Sequence, residues 1–203
     1  MSVTVFIVIS VAVGWSAPIP KGEGQRSFFP TTIGTKWVFM SNRLDRWEEF
    51  ELEIQDVKQK DGVTTLTIVD NTVKSPMDPR NIWYVISESQ KGISVVREAS
   101  FNYERPIELL RLPAKIGDHW KFDTHYRTVG GLTACPKDGR MKVAAIETVK
   151  TPAGEFESVR VEGVGGGTGR WTETYWFARG VGLVKWVSNA RDEYALKSFK
   201  LPR

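Results

Sequence analysis

The sequence predicts an all-β fold: one antiparallel sheet of about 10–11 strands, curved into a barrel or half-barrel and built from two sequence repeats. Three observations carry this. A segment returns, since Phe29-Pro30-Thr31-Thr32-Ile33-Gly34-Thr35-Lys36-Trp37-Val38-Phe39 is answered by Leu112-Pro113-Ala114-Lys115-Ile116-Gly117-Asp118-His119-Trp120-Lys121-Phe122, with Pro, Ile, Gly, Trp and Phe in step. Apolar residues alternate with polar ones, as where Phe50, Leu52 and Ile54 interleave with Glu49, Glu51 and Glu53. Helical periodicity is missing; Pro106 to Leu112 comes nearest and is cut short by Pro113.

The chain opens on residues of another kind. Ser2 to Ala17 carries no charged side chain, Val3 to Val13 is an apolar run, and Gly14-Trp15-Ser16 places small residues before Ala17. Residues 1–16 therefore read as a secretory signal peptide, too short to span a bilayer comfortably, with an uncleaved anchor as the competing reading. No Lys or Arg precedes the apolar run, so either the α-amino group supplies the positive charge or the start lies upstream of Met1. No Cys follows it to take a lipid. Residues 17–27, with Pro18, Pro20, Gly22 and Gly24, read as a flexible lead-in, and residues 28–203 as a single β domain.

Within that domain repeat one covers 28–104, repeat two 111–190, and an extra terminal strand 193–201. In the first repeat the strand at Phe50 to Ile54 turns at Lys60-Asp61-Gly62 into the β-branched run Thr64 to Val69. Asn81 to Ile86 and Ile93 to Arg97 flank Gln90-Lys91-Gly92, and Arg105 to Pro113 links the halves. The second repeat predicts strands near 119–128, 141–149, 156–163, 170–178 and 182–189. Its turns fall at Lys137-Asp138-Gly139-Arg140, Thr151-Pro152-Ala153-Gly154 and Arg179-Gly180-Val181-Gly182. Trp83-Tyr84-Val85 is matched by Tyr175-Trp176-Phe177, and Gly92-Ile93 by Gly182-Leu183.

Joining the halves into one curved sheet removes edges that would otherwise invite aggregation. Eight strands make a barrel that side chains fill; ten or eleven leave room for large side chains, a plug or a ligand. Trp37 and Trp120 read as matched core plugs. Ile82 to Ile86 and Tyr175 to Phe177 are apolar on both faces, so one face serves the core and the other packs on a layer or lines a concave apolar site.

Charge and composition exclude several functions. The 28 cations and 24 anions give a net charge of +4 with the signs mixed along the chain, so no arm for nucleic acid is present. Cys135 stands alone in a loop-like stretch, Thr133 to Gly139, so no intrachain disulfide forms and the thiol reads as free. His119, Lys121, Asp123 and His125 share one strand face; six residues of strand span ~20 Å, too far for the outer pair to share a metal. Gly165-Gly166-Gly167-Thr168-Gly169 is followed by a strand rather than a phosphate-binding helix, and reads as a wide hairpin able to cover a pocket mouth. Glu173 lies on the face of Trp171, Tyr175 and Phe177; if that face is buried, it needs a cation such as Arg160 or Arg179, or its pKa rises.

Glu173-Thr174-Tyr175-Trp176-Phe177-Ala178-Arg179-Gly180-Val181-Gly182-Leu183-Val184-Lys185 resembles a C-terminal signature of exported bacterial β-rich proteins of unknown function, whose form is Tyr-Trp-aromatic-Ala-x-Gly-Val-Gly-Leu-Val-Lys. Leu112 to Trp120 and Thr151 to Phe156 look like other segments of that group. The resemblance implies an envelope or secreted protein and brings no catalytic residues. The sheet plan is also similar to the half-barrels of periplasmic lipoprotein carriers, which close with helices that are missing here.

The expected function is accordingly a non-enzymatic binding module of the bacterial envelope, periplasmic or secreted, holding an apolar small molecule in its curved sheet. Trp83, Tyr84, Trp171, Glu173, Tyr175 and Trp176 are the expected ligand-binding residues. No cofactor, metal site or catalytic residue is assigned, and no transmembrane segment remains after signal removal. One alternative is a structural protein binding another envelope protein. A second is a hydrolase using Glu173 or Asp123, which requires two facing carboxyl groups.

Overall fold

The computed structural model describes residues 27–43, 46–73, 81–188 and 192–202; the signal read over residues 1–16 and the lead-in up to residue 26 lie outside them. Twelve strands run through the described residues: β1 (Lys36–Arg43), β2 (Arg46–Lys60), β3 (Val63–Asp70), β4 (Ile82–Ser89), β5 (Gly92–Glu98), β6 (Phe101–Arg111), β7 (His119–Thr128), β8 (Cys135–Thr151), β9 (Gly154–Gly165), β10 (Trp171–Ala178), β11 (Gly182–Ser188) and β12 (Asp192–Lys200). Each pairs antiparallel with its sequence neighbours, and β12 returns to β1, so the sheet closes into an up-and-down barrel. Closure leaves no edge strand.

The strand count exceeds the expected ten or eleven. Arg105 to Arg111, expected as part of a link, belongs to β6. Pro106 is tolerated there because the β5–β6 register skips: Val95 pairs with Ile107 and Arg97 with Asn102, leaving Tyr103 to Pro106 opposite Val96. Within that bulge proline forfeits no ladder bond. The turn expected at Lys137 to Arg140 is instead the interior of β8, paired with Lys121 to Thr124 of β7. Cys135 is likewise a strand residue, opposite Tyr126, with a free thiol.

The two Pro-x-x-x-Gly-x-x-Trp segments lead into β1 and β7 with matching backbone bonds. Gly34 N–H donates to Ile54 O at 2.9 Å, and Gly117 N–H to Val143 O at 2.9 Å. Ile54 N–H returns to Thr35 O, and Val143 N–H to Asp118 O. A register shift follows at both places, between Ile54 and Asp56 and between Val143 and Ala145.

Alternation decides inside from outside. Phe39, Leu52, Ile54, Leu66, Ile93, Val161, Phe177 and Leu196 are buried, each contributing roughly 1.5–3 kcal/mol. Aromatic rings fill the width that twelve strands create: Trp186 stacks on Tyr194 at 3.9 Å, and Phe50 stacks on Phe39 at 5.7 Å and Trp83 at 5.1 Å. The outer face carries ion pairs such as Lys36–Glu51 at 2.7 Å and Lys185–Glu193 at 2.7 Å. A transmembrane barrel has the opposite arrangement, apolar outside and polar within. Among the described residues no helix is long and apolar enough to cross a membrane.

Two ladders are incomplete. β6 and β7 pair through Phe101 to Tyr103. Below that, Thr124 replaces the ladder, its Oγ1 accepting from Arg105 N–H at 3.0 Å and donating to Arg105 O at 2.9 Å. Trp120 Nε1 then donates to Glu108 O at 2.9 Å. β11 and β12 pair through Lys185 to Ser188. Past that point Ala153 N–H reaches Leu196 O at 2.9 Å, and Trp37 Nε1 donates to Val181 O at 2.7 Å. The repeated tryptophans are buried, as expected of core plugs, and each also satisfies a backbone carbonyl near a seam.

Candidate functional site

In this topology β4, β6, β8 and β10 all start at one end of the barrel, where β5, β7 and β9 finish. That places Glu98, Tyr103, Lys137, Trp171 and Glu173 together around one small inner cavity. Tyr103 Oη donates to Glu98 Oε2 at 2.7 Å. Lys137 Nζ donates to Tyr103 Oη at 3.1 Å, lies 3.7 Å from Glu98 Oε2, and sits 5.3 Å and 5.5 Å from the ring centres of Tyr103 and Trp171. One cation is thus held between two aromatic faces and a carboxylate.

Glu173 is the second acid of this cluster. Burial, and then the neighbouring Glu98 charge, raise its pKa to about 7, with Lys137 pulling the other way. Tyr175 Oη donates to Glu173 Oε2. Burial likewise pushes the Tyr84 and Tyr103 phenols up, so both stay protonated as donors. The cations named from the sequence do not reach Glu173: Arg160 lies 3.4 Å from Glu147 on the outer face, and Arg179 covers the Phe28 ring at 4.6 Å.

Trp171 owes its position to glycines. A Cβ on Gly139, Gly163 or Gly165 would come within 2.6, 2.9 and 2.5 Å of its ring carbons. Gly139 pairs with Gly165 and Met141 with Gly163, so these positions form a flat bed on the inner wall. The glycine run therefore does more than turn the chain. Gly139 and Gly163 shape this candidate site, a part that sequence reasoning missed. Their signal is two lone glycines inside β-patterned stretches, which mark close approach of another group.

Of the six expected ligand residues, Trp171, Glu173, Tyr175 and Tyr84 line the inner cavity, and Trp83 joins Tyr84 and Tyr175 in a second cavity deeper in the barrel. Trp83 and Tyr84 are consecutive yet border the same space, because Ile68 pairs with Tyr84 and Val69 with Ile82, leaving Trp83 as the bulged residue. Trp176 points the other way. Its Nε1 donates to Glu147 Oε1 at 2.9 Å and Lys185 covers its ring, so it takes no part in the interior. Asp123 is also outside, bonded by Arg105 Nη2 at 3.0 Å, and does not face Glu173.

Space separates these regions sharply. The deeper cavity, walled by Phe39, Leu52, Trp83, Tyr84 and Tyr175, holds about 30 Å³, and the one at Glu173 about 10 Å³. An open groove of about 760 Å³ lies on the other side of Phe122 and Trp171, lined also by Lys121, Asp123, Asp138, Arg140, Arg170 and the Gly165–Gly166 backbone. Phe122 and Trp171 are thus a partition between the groove and the inner cluster, at a centroid distance of 5.8 Å. Among the described residues no group of three or more His, Cys, Asp or Glu is placed to hold a metal ion.

No family model and no curated protein matches the sequence. Solved structures do share its shape. A Bacteroides fragilis protein named as exported, with a YmcC-like fold, superposes with a TM-score of 0.59 at 15% identity, over 86% of this chain and 99% of that one. A Parabacteroides distasonis protein named as a lipoprotein gives a TM-score of 0.59 at 13% identity, over 86% and 98%. At such identities the likeness shows the fold alone: this closed all-β barrel has a YmcC-like fold.

Proposed function

We propose that this chain is a non-enzymatic binding module exported to the bacterial envelope, and that it takes its ligand in the groove beside Trp171 rather than within the barrel. The observation that carries the reading is the difference in room. Ligand sites occupy roughly 300–1,000 Å³; the groove, at about 760 Å³, lies in that range and the interior cavity of about 30 Å³ does not. The exported location rests on the apolar leader and on the exported and lipoprotein names of the structural neighbours. The groove is bordered by Phe122 and Trp171 and carries the cations Lys121, Arg140 and Arg170 beside the acids Asp123 and Asp138, which suits a polar ligand with both acidic and basic groups.

Native mass spectrometry of the protein purified from an envelope fraction tests this. The expected result is an adduct that the Arg140→Ala/Arg170→Ala variant loses while its circular dichroism is unchanged. A bare mass for the native protein, with the same tryptophan emission before and after solvent extraction, sinks the reading. Capture of a crosslinked envelope protein through this groove would instead make it a protein-docking surface, the structural alternative.

A further inference from the structure

The end of the barrel opposite the groove is closed by residues that precede the first strand. Ser27, Phe28 and Phe29 belong to no strand, yet both phenylalanines are buried. Three donors of this segment converge on one carboxylate. Phe28 N–H donates to Glu88 Oε1 at 2.5 Å, Phe29 N–H to Glu88 Oε2 at 3.0 Å, and Ser27 Oγ to Glu88 Oε2 at 2.9 Å. Gly180 N–H adds a bond to Ser27 O at 3.1 Å. Phe29 packs edge-on against Phe177 at 6.5 Å, in space cleared by Gly182, where a Cβ would lie 2.5 Å from its ring. Arg179 covers the Phe28 ring.

Glu88 makes this arrangement unlike ordinary core packing. It lies on the inner face of β4 with Ile86, is 6% exposed, and pairs across the sheet with Ile93, itself fully buried. A carboxylate in such a place is costly unless its oxygens are bonded, and among the described residues its hydrogen bonds come from Ser27, Phe28 and Phe29. The barrel therefore presents an inward-facing side-chain acceptor that holds two consecutive backbone N–H groups and a hydroxyl. Phe28 forms one wall of an open groove of about 480 Å³ with Pro113, Ala114, Phe156, Val159 and Val181.

We infer that this end of the barrel is a peptide-recognition socket, specific for an extended hook of the Ser-Phe-Phe type, which the chain fills with its own residues 27–29 and which the same segment of a second copy can fill in its place. Glu88 reads the backbone and the hydroxyl, the Phe177–Gly182 slot reads the Phe29 ring, and Arg179 covers that of Phe28. Because Phe29 also walls the apolar cavity of about 30 Å³, release of the hook uncovers Trp37, Phe39 and Phe177 at the same time.

The test uses the full chain and a fluorescein-labelled peptide of residues 26–31, Arg-Ser-Phe-Phe-Pro-Thr. A hookless Phe28→Ala/Phe29→Ala protein should bind the peptide saturably in fluorescence anisotropy, and the unmodified protein at least tenfold more weakly. Adding Glu88→Ala to the hookless protein should weaken binding at least tenfold. Hydrogen exchange on the unmodified protein is the second measurement and needs no variant to fold. The Phe28 and Phe29 amides should exchange at least tenfold faster than those of Ile54 and Val143, by local release. A folded hookless barrel that leaves the peptide free at millimolar concentration overturns the inference. So does equal protection of hook and barrel amides, which would make residues 27–29 an inseparable part of the core.

Discussion

At the scale of single residues, Glu173 shows what environment does to a carboxyl group. Its folded-state pKa of about 7 lies above the ordinary 4.5, so at intermediate pH the unfolded chain gives up this proton before the folded one does. The group's contribution to stability is complete below pH 4.5 and is lost as the pH rises to about 7, a change of roughly 3 kcal/mol. Glu173→Gln stays neutral and still offers Tyr175 an acceptor. It should lose less stability than the native protein between pH 5 and pH 8, and be the more stable of the two at pH 8. Urea unfolding at four pH values checks this; parallel pH dependences for the two proteins would show that Glu173 is not held neutral. The sequence placed Glu173 on the right face, because strand alternation is local. It did not supply Glu98, Lys137 and Tyr103 as its neighbours, since those arrive from three other strands. Nor did it separate the glycines, which look alike in a string: Gly165 lies beneath the Trp171 ring, while nothing stands within 4 Å of a Cβ at Gly169.

At the scale of elements, the seams are where side chains take over from backbone. Between β6 and β7 a hydroxyl and an indole satisfy groups that a continuous ladder would have satisfied. Thr124 is 2% exposed, so Thr124→Val keeps the shape and removes both of its bonds to Arg105. An unmatched buried polar group costs about 1–3 kcal/mol. The variant should therefore lose about 2 kcal/mol in urea unfolding, with faster hydrogen exchange confined to residues 104–110. A loss spread evenly over the barrel, or none, would mean that the seam is not held by this hydroxyl. The repeated Pro-x-x-x-Gly-x-x-Trp segments announced both strand starts in the sequence because the bonds of Gly34 and Gly117 are the same. β6 stayed hidden because its proline sits in a bulge, and a bulge leaves no trace in periodicity.

At the scale of the molecule, closure ties the first strand to the last, with Trp37 opposite Phe199. The sequence showed that a sheet of this many strands needed something inside; the aromatic cluster and the Phe28–Phe29 hook are what it holds. Which rings meet was not legible, because Phe50, Trp83 and Trp186 come together only once the barrel has closed. Closure also sets an order of assembly. β2 and β3 are joined by the Asp61–Gly62 turn and can pair early, whereas β12 must find β1 across nearly the whole chain, at a far larger loop entropy. Leu66 of β3 and Leu196 of β12 are both fully buried, so either change to alanine should cost about 2–5 kcal/mol. The cost should appear in different rates. Leu66→Ala removes contacts already made in the transition state and slows folding, while Leu196→Ala removes contacts made after it and speeds unfolding. Stopped-flow chevrons of the two variants decide the matter. If Leu196→Ala slows folding and Leu66→Ala speeds unfolding, the barrel is nucleated by its closing strand, and the local hairpins follow it.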